Sequence, residues 1–379
     1  MAKKLLGFIE SAALIILMAA CVVYGYKYIT NKETPQEDPV VDIVPDNNVI
    51  AVRANDMDIE YILGVSETSI PHNVVVTCGG SPCLNSDLKF TSSNNNVVLS
   101  DSINLYIIGD GTACVYVSYK DEIVDSFDVK VTVYHPVRTA EEFIAIGTDP
   151  TTMSYKYKLM NDIDFGNTEV ASLSSQSIKP SLYFSGVFDG QGYTLKDIVL
   201  VKSVLENAGE DVSLFGSLDG KAVVKNLNVT GVKTTGFGGV IASWIYYGST
   251  VENCFVEVTI SETASGGKYG GGIAYRAQEG AIVRDCITAV TITEGQSTTN
   301  YGAIIGNNLT TLTNCQSIVT ADNSLNLYAK TGSTSAGAEN SHVYNSISSF
   351  YESVEKALYS DIWYFDTLGK ELPHLIIAK

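Results

Sequence analysis

The sequence predicts an all-β protein: a β-sandwich followed by a right-handed parallel β-helix, with an N-terminal transmembrane or signal helix. Three observations lead there. An apolar run near the start gives way to an acidic, proline-bearing stretch. Short alternating strands then crowd residues 47–134. From residue 196 onward a triplet centred on Asn or Asp recurs, its third members lying 29, 27, 32, 29 and 31 residues apart.

The first segment, residues 1–30, carries Lys3 and Lys4 and then an apolar run from Leu5 to about Tyr24, interrupted by Glu10. About 20 apolar residues cross a bilayer as a helix, whereas a cleaved signal core needs roughly 7–15. The run therefore reads as an uncleaved signal anchor that ties the chain to the membrane. Two other readings stay open: a lipoprotein signal with Cys21 as the lipidated residue of Met18-Ala19-Ala20-Cys21, and a pilin-like leader around Gly7-Phe8 and Glu10. All three export the rest of the chain to the extracellular face of the envelope. Residues 31–46 hold three prolines and five acids, the composition of an extended linker.

Charge excludes one class of partner. Against 42 acidic side chains stand 24 basic ones, a net charge of −18. With no Lys/Arg cluster, a phosphate backbone would be repelled, so no nucleic-acid partner is expected.

Between residues 47 and 134, the segments 74–77, 88–93, 104–108, 113–119 and 127–134 alternate in polarity and are bounded by Gly, Asn, Asp or Ser. Such spacing predicts a β-sandwich. Phe90-Thr91-Ser92-Ser93-Asn94, Gly109-Asp110-Gly111-Thr112-Ala113 and Val129-Lys130-Val131-Thr132-Val133 resemble the bacterial immunoglobulin-like (group 2) domain, with Phe90 where that family usually has Trp. The resemblance implies an immunoglobulin-like spacer or adhesive module and no chemistry. Cys78 and Cys83 flank Gly-Gly-Ser-Pro, and in an exported chain they are candidates for a local disulfide; Cys78 with Cys114 is the competing pair.

Residues 137–379 carry the triplets Lys196-Asp197-Ile198, Lys225-Asn226-Leu227, Glu252-Asn253-Cys254, Arg284-Asp285-Cys286, Thr313-Asn314-Cys315 and Tyr344-Asn345-Ser346. In four periods the triplet follows a Gly-rich apolar strand (212–216, 238–243, 270–275, 301–306) by 12–14 residues. Nothing between is long enough for a returning helix, so the periods stack as a solenoid. Stacking predicts two files: Asp197, Asn226, Asn253, Asp285, Asn314 and Asn345 turning a corner, and Ile198, Leu227, Cys254, Cys286, Cys315 and Ser346 facing inward. The three cysteines lie along an axis, which suits buried thiols better than a disulfide or a metal site.

Thr139-Ala140-Glu141-Glu142 is a capping box opening a short helix, and Ser349-Phe350-Tyr351-Glu352 predicts a second one ending near Tyr359. The order YKLMNDIDF (157–165), FSGVFDGQGYTLKDI (184–198), glycine-rich coils and a closing DIWYFDTLGKELPHLII (361–377) resembles the GLUG-type β-helix repeats of bacterial adhesin-like surface proteins. The resemblance implies a structural role with no catalytic residue to transfer, and a C-terminal segment that covers the last coil.

The expected function is therefore a non-catalytic, adhesin-like surface protein that needs no cofactor or metal and displays its β-helix to a carbohydrate or protein ligand. Tyr246, Tyr247, Phe255, Tyr269 and Tyr275 are candidate outward contacts. A pilin-like or filament subunit is the second reading. A β-helix polysaccharide lyase or hydrolase is the third; its candidate carboxylates are Asp162, Asp164 and Asp189, and the four histidines (His72, His135, His342, His374) are scattered.

Overall fold

A computed structural model describes residues 50–175, 183–202, 212–234, 238–261, 269–293, 300–319, 325–331, 337–356, 359, 361 and 363–376. The predicted N-terminal helix, the linker, Cys21 and the pilin-like leader lie outside them. No helix among the described residues is long and apolar enough to cross a membrane.

The chain divides into two compact units, residues 1–51 with 76–82, and residues 52–75 with 83–379. In the first, Thr77 pairs antiparallel with Pro82 and Cys78 with Ser81, and the Thr77 hydroxyl donates to Ala51 O at 3.4 Å. The second unit is mostly β and contains long parallel sheets, an arrangement consistent with a β-helix.

The second unit begins with antiparallel strands. Leu88–Ser92 pairs with Gly111–Tyr119, which pairs with Glu122–Val137; Ser69–Pro71, Asn104–Ile107 and Val98–Ser100 form a separate sheet. Burial alternates along Gly111–Tyr119 and through the middle of Glu122–Val137, with Val115, Val117, Val129 and Val131 at 0–1% exposure. Period-two burial is what a sheet with one covered face imposes. Phe90 is buried and stacks on His72 with ring centroids 4.3 Å apart.

The 16-residue strand Glu122–Val137 runs on beyond its antiparallel pairing with Gly111–Tyr119. Its middle pairs parallel with Met57–Ile62, and its last residues pair parallel with Lys156–Leu159 (His135↔Tyr157, Val137↔Leu159). One strand thus joins the antiparallel pairs to the parallel stack. Lys158, nearly buried, pairs with Glu60 and lies 4.5 Å from the Tyr134 ring centroid across that junction.

From there each period adds strands to two parallel sheets. One receives Val187–Asp189, Val223–Thr234, Thr250–Ile260, Ile282–Arg284 with Ile287–Ile292, Thr311–Thr313 with Gln316–Val319, and Gly337–Glu339 with His342–Tyr344. The other stacks Ser217–Leu218, Ala242–Ile245, Ala274–Ala277, Tyr301–Asn308 and Asn326–Thr331. Of the glycine-rich strands expected from sequence, 212–216 forms no strand, the pairing there beginning at Ser217, whereas 238–243 and 270–275 enter this second sheet as two short pieces each and 301–306 falls within it. There backbones approach closely: a Cβ on Gly239 would sit 2.1 Å from Ala274 Cα. Side chains from both sheets fill one core, which includes Phe188, Leu227, Val256, Ile273 and Ile305.

The corner file exists with a different membership at each end. Asn226, Asn253, Asp285 and Asn314 adopt φ between 49° and 53°, the left-handed region that Asn and Asp tolerate best. Asn253 Nδ2 donates to Asn226 Oδ1 (3.3 Å) and Asn314 Nδ2 to Asp285 Oδ1 (2.8 Å). At the top of the file the sixth member is Asn340 (φ 47°), whose Nδ2 donates to Asn314 Oδ1 at 3.2 Å, and not Asn345. The register Gln316↔His342 fixes this, because it sets Cys315 against Ser341. Ser346, expected in the inward file, instead caps a helix.

Asp197 also leaves the file. The turn at Gly190–Tyr193 inserts two residues relative to the next coil, since Val187 pairs with Val223 but Thr194 pairs with Asn228. Asp197 is therefore carried past Asn226 to a second left-handed corner, shared with Asn167 (φ 62°) and Gly231 (φ 62°). Glycine at 231 leaves room for Asp197, whose Oδ1 would lie 2.5 Å from a Cβ there. The foot of the main file is Asp189, whose Oδ1 accepts from Asn226 Nδ2 at 3.0 Å.

Helix Ala140–Ala145 is capped by Thr139, whose hydroxyl accepts from Glu142 N (3.2 Å), while Glu142 reaches back to Arg138 N (2.6 Å). The second helix is Ile347–Ser353, starting earlier than expected; its capping box uses Ser346 and Ser349. The described part of the C-terminal segment reaches the last coil through the Tyr344–Phe350 contact. It runs back along the outer face, where Phe350, Tyr359, Trp363 and Leu375 bury Phe255, Ile287, Ala289 and Ile318. These outward positions on successive coils are apolar, and burying them removes them from water. The Asn228 amide holds the end in place: Oδ1 accepts from Leu375 N (2.8 Å) and Nδ2 donates to Leu375 O (3.0 Å).

Two outcomes follow. Asn253→Ala forces alanine into a left-handed conformation and removes a ladder bond, for a loss of about 2 kcal/mol; Asn253→Gly keeps the backbone and loses roughly half of that. Urea unfolding midpoints of the two variants check this order. Asn228→Ala strands the Leu375 N–H and C=O, costing about 2 kcal/mol, and hydrogen exchange at the Leu375 amide is expected to lose its protection.

Candidate functional site

The three file cysteines are fully buried, and each thiol sits in the same setting. Cys254 Sγ donates toward Glu252 O (3.3 Å), Cys286 Sγ toward Arg284 O (3.2 Å) and Cys315 Sγ toward Thr313 O (3.4 Å). Each also faces a carbonyl of the preceding coil at 3.6–3.8 Å. Ser341 Oγ repeats the pattern with Glu339 O (2.9 Å) and Leu312 O (3.3 Å). A serine doing the same work shows what the position asks for: a small side chain with one weak donor. Burial pushes the Cys286 and Cys315 thiols well up. Among the described residues, no group of three or more His, Cys, Asp or Glu is placed to hold a metal ion. Cys78 and Cys83 are disulfide-bonded, whereas Cys114 is not.

The candidate carboxylates are occupied by the backbone and by cations. Asp162 Oδ1 accepts from Thr194 N (2.8 Å). Asp164 accepts from Gly166 N (2.8 Å) and pairs with Lys196 (3.0 Å), which together hold its carboxyl below the usual range. Asp189 accepts from Gln191 N and Asn226 Nδ2 (both 3.0 Å), with Lys225 at 3.6 Å. Each carboxylate secures a turn or a neighbouring coil. The histidines are used separately: His72 on Phe90, His135 on Tyr155, His342 beside Tyr344 and His374 beside Tyr364.

Surface features among the described residues include a groove and an aromatic strip. The groove, of about 620 Å³, runs beside the C-terminal strand, with Phe255 and Leu375 among its apolar lining and Asp162, Lys196, Glu257 and His374 among its polar lining. The other feature is an aromatic strip on the second parallel sheet. Trp244 and Tyr246 stack with centroids 5.7 Å apart and planes 13° apart. Tyr275 meets Trp244 edge-on at 5.6 Å, and Tyr183 lies 5.6 Å from Tyr246. The Arg276 guanidinium sits 4.8 Å from the indole centroid. Register explains the cluster: Ser217, Trp244, Arg276 and Asn307 are Cα partners on successive coils, so their side chains rise in one row.

Of the five aromatic residues singled out from sequence, Tyr246 and Tyr275 belong to this strip. Tyr247 is 76% exposed, and its ring leaves no room for a Cβ on Gly280. Tyr269 is half-buried. Phe255 is buried at 2% beneath the C-terminal segment and is no outward contact. Sequence reasoning missed Trp244, Arg276, Asn307 and Tyr183. The signal was present in the Gly-rich strands: Trp244 and Arg276 stand at equal distance after Gly239-Val240 and Gly271-Gly272.

No family model matches the chain, and no curated protein matches it. Among solved structures, an IgA1 protease is similar at 16% identity with a TM-score of 0.35, over 80% of this chain and 24% of that one. The chain thus spans about a quarter of that protein's length.

The thiol file makes a checkable statement. Because alkylation needs a thiol that the reagent can reach, and all three are fully buried, iodoacetamide at pH 8 is expected to leave Cys254, Cys286 and Cys315 unmodified in the folded chain. In denaturant all three react, as peptide mass spectrometry would read.

Proposed function

We propose that this chain is an exported, non-catalytic surface protein of adhesin type. In this reading an N-terminal anchor and an immunoglobulin-like module carry a right-handed parallel β-helix that presents its outer face to carbohydrate or protein ligands. The observation that carries the reading is the strip of Trp244, Tyr246, Tyr275 and Tyr183 with Arg276. Trp, Tyr and Arg are the residues that concentrate binding energy at recognition surfaces, and here in-register stacking lines them up on one face. The non-catalytic part is supported by the use made of Asp162, Asp164 and Asp189, each engaged in holding a turn or a coil. The membrane anchor and the extracellular location rest on the apolar run at residues 5–24.

Detergent-solubilised full-length chain applied to an array of glycans and surface proteins tests this. Retention of a ligand without release of shortened products is the expected result, and Trp244→Ala is expected to weaken retention at least about tenfold, a hot-spot loss of the size usual for tryptophan. Cleavage of any arrayed polymer would overturn the non-catalytic reading.

A further inference from the structure

We infer that the row Trp244–Arg276–Asn307, flanked by Tyr246, Tyr275 and Tyr183, is a binding subsite for a carboxylated sugar residue of a glycan. The inference rests on the proposed ligand-display reading and narrows it to a substrate class.

The cation is the starting point. In a chain of net charge −18, several basic side chains have a carboxylate partner: Lys130 with Asp58, Lys156 with Asp110, Lys158 with Glu60, Lys196 with Asp164, and Arg284 with Glu252. Arg276 forms no ion pair among the described residues and is held instead by the indole of Trp244. Its Nε is buried without a hydrogen-bond partner. One coil further on, at the Cα partner of Arg276, Asn307 Oδ1 is also buried without a partner. Unpaired polar atoms are costly in a folded protein, and two of them fall on successive coils beside the aromatic strip, where a ligand that shifts either side chain restores the missing bond.

The ligand's chemistry follows from the set. A planar guanidinium presents paired N–H groups that match a carboxylate. Asn307 supplies a carboxamide of the kind that bonds sugar hydroxyls. Rings of Trp244 and Tyr246 offer flat apolar faces and edges for the C–H side of a pyranose. Ser217, the Cα partner of Trp244 on the preceding coil, is small and buried. A protruding protein side chain would call for a pocket, whereas this row lies along a sheet. An acidic sugar meets the cation, the amide and the rings together.

The test uses the full-length chain in detergent micelles and calorimetric titration with trigalacturonate, its carboxyl-reduced counterpart and sialyllactose. Binding of at least one carboxylated probe is expected, weakening at least about tenfold on carboxyl reduction and by a similar factor in Arg276→Gln, as loss of a charge-assisted pair requires. Trp244→Phe is expected to keep part of the affinity and Trp244→Ala to lose it, with thermal unfolding of Arg276→Gln unchanged. The preference between uronate and sialate identifies the source of the carboxylate. Binding that ignores carboxyl reduction, or that Arg276→Gln leaves intact, overturns the inference while leaving ligand display standing. Binding of a protein ligand with no glycan also overturns it. Absence of any ligand, glycan or protein, overturns both.

Discussion

Each coil must hand its backbone N–H and C=O groups to the next at the strand spacing of about 4.8 Å, and the corners are where that register is won or lost. The positive-φ file Asn226, Asn253, Asp285, Asn314 and Asn340 meets this demand twice over. It lets the backbone turn in a conformation that most residues resist, and it passes amide hydrogen bonds between coils. The ladder has one interruption with a simple cause. Asp285 accepts from Asn314 but has no N–H to give Asn253, because a carboxylate only accepts. Everything beside the corner inherits its alignment: the thiol file and, across the core, the row that ends in the aromatic strip.

Where the chain inserts residues, the register passes to another device. The two extra residues near Gln191 displace Asp197 into a second corner with Asn167 and Gly231. Asp189 then stands at the foot of the main ladder and is tied to Asn226 and Lys225. A carboxylate that resembles a catalytic candidate in sequence is thus spent on starting the stack. Ser172, Ser213 and Ser243 form a third ladder, hydroxyl to hydroxyl at 3.4 and 3.2 Å.

How much was legible in the sequence depended on range. Period, strand positions and the central corner residues could be read, because an Asn or Asp before an inward Cys or Leu reports a local backbone need. The ends could not. Asp197 and Asn345 match the triplet by composition, and only the pairing Thr194↔Asn228 or Gln316↔His342 reveals that an insertion or a shorter last period intervenes. Phe255 reads as outward, and on its strand it is; burial came from a segment more than a hundred residues later folding back over it. The strip around Trp244 left only a faint trace, the equal spacing of Trp244 and Arg276 after their glycines, because Trp244, Arg276 and Asn307 become neighbours only through stacking.

The most direct test of this stacked register is a set of distances between spin labels placed along one row. Lys225, Glu252, Arg284, Thr313 and Glu339 are Cα partners in sequence. In a Cys114→Ser background, labels at Lys225 and Thr313, and at Lys225 and Glu339, are expected to have attachment points about 14 and 19 Å apart, one strand spacing per coil. Separations that do not grow by one such step per coil would contradict the register, and with it the alignment of Trp244, Arg276 and Asn307.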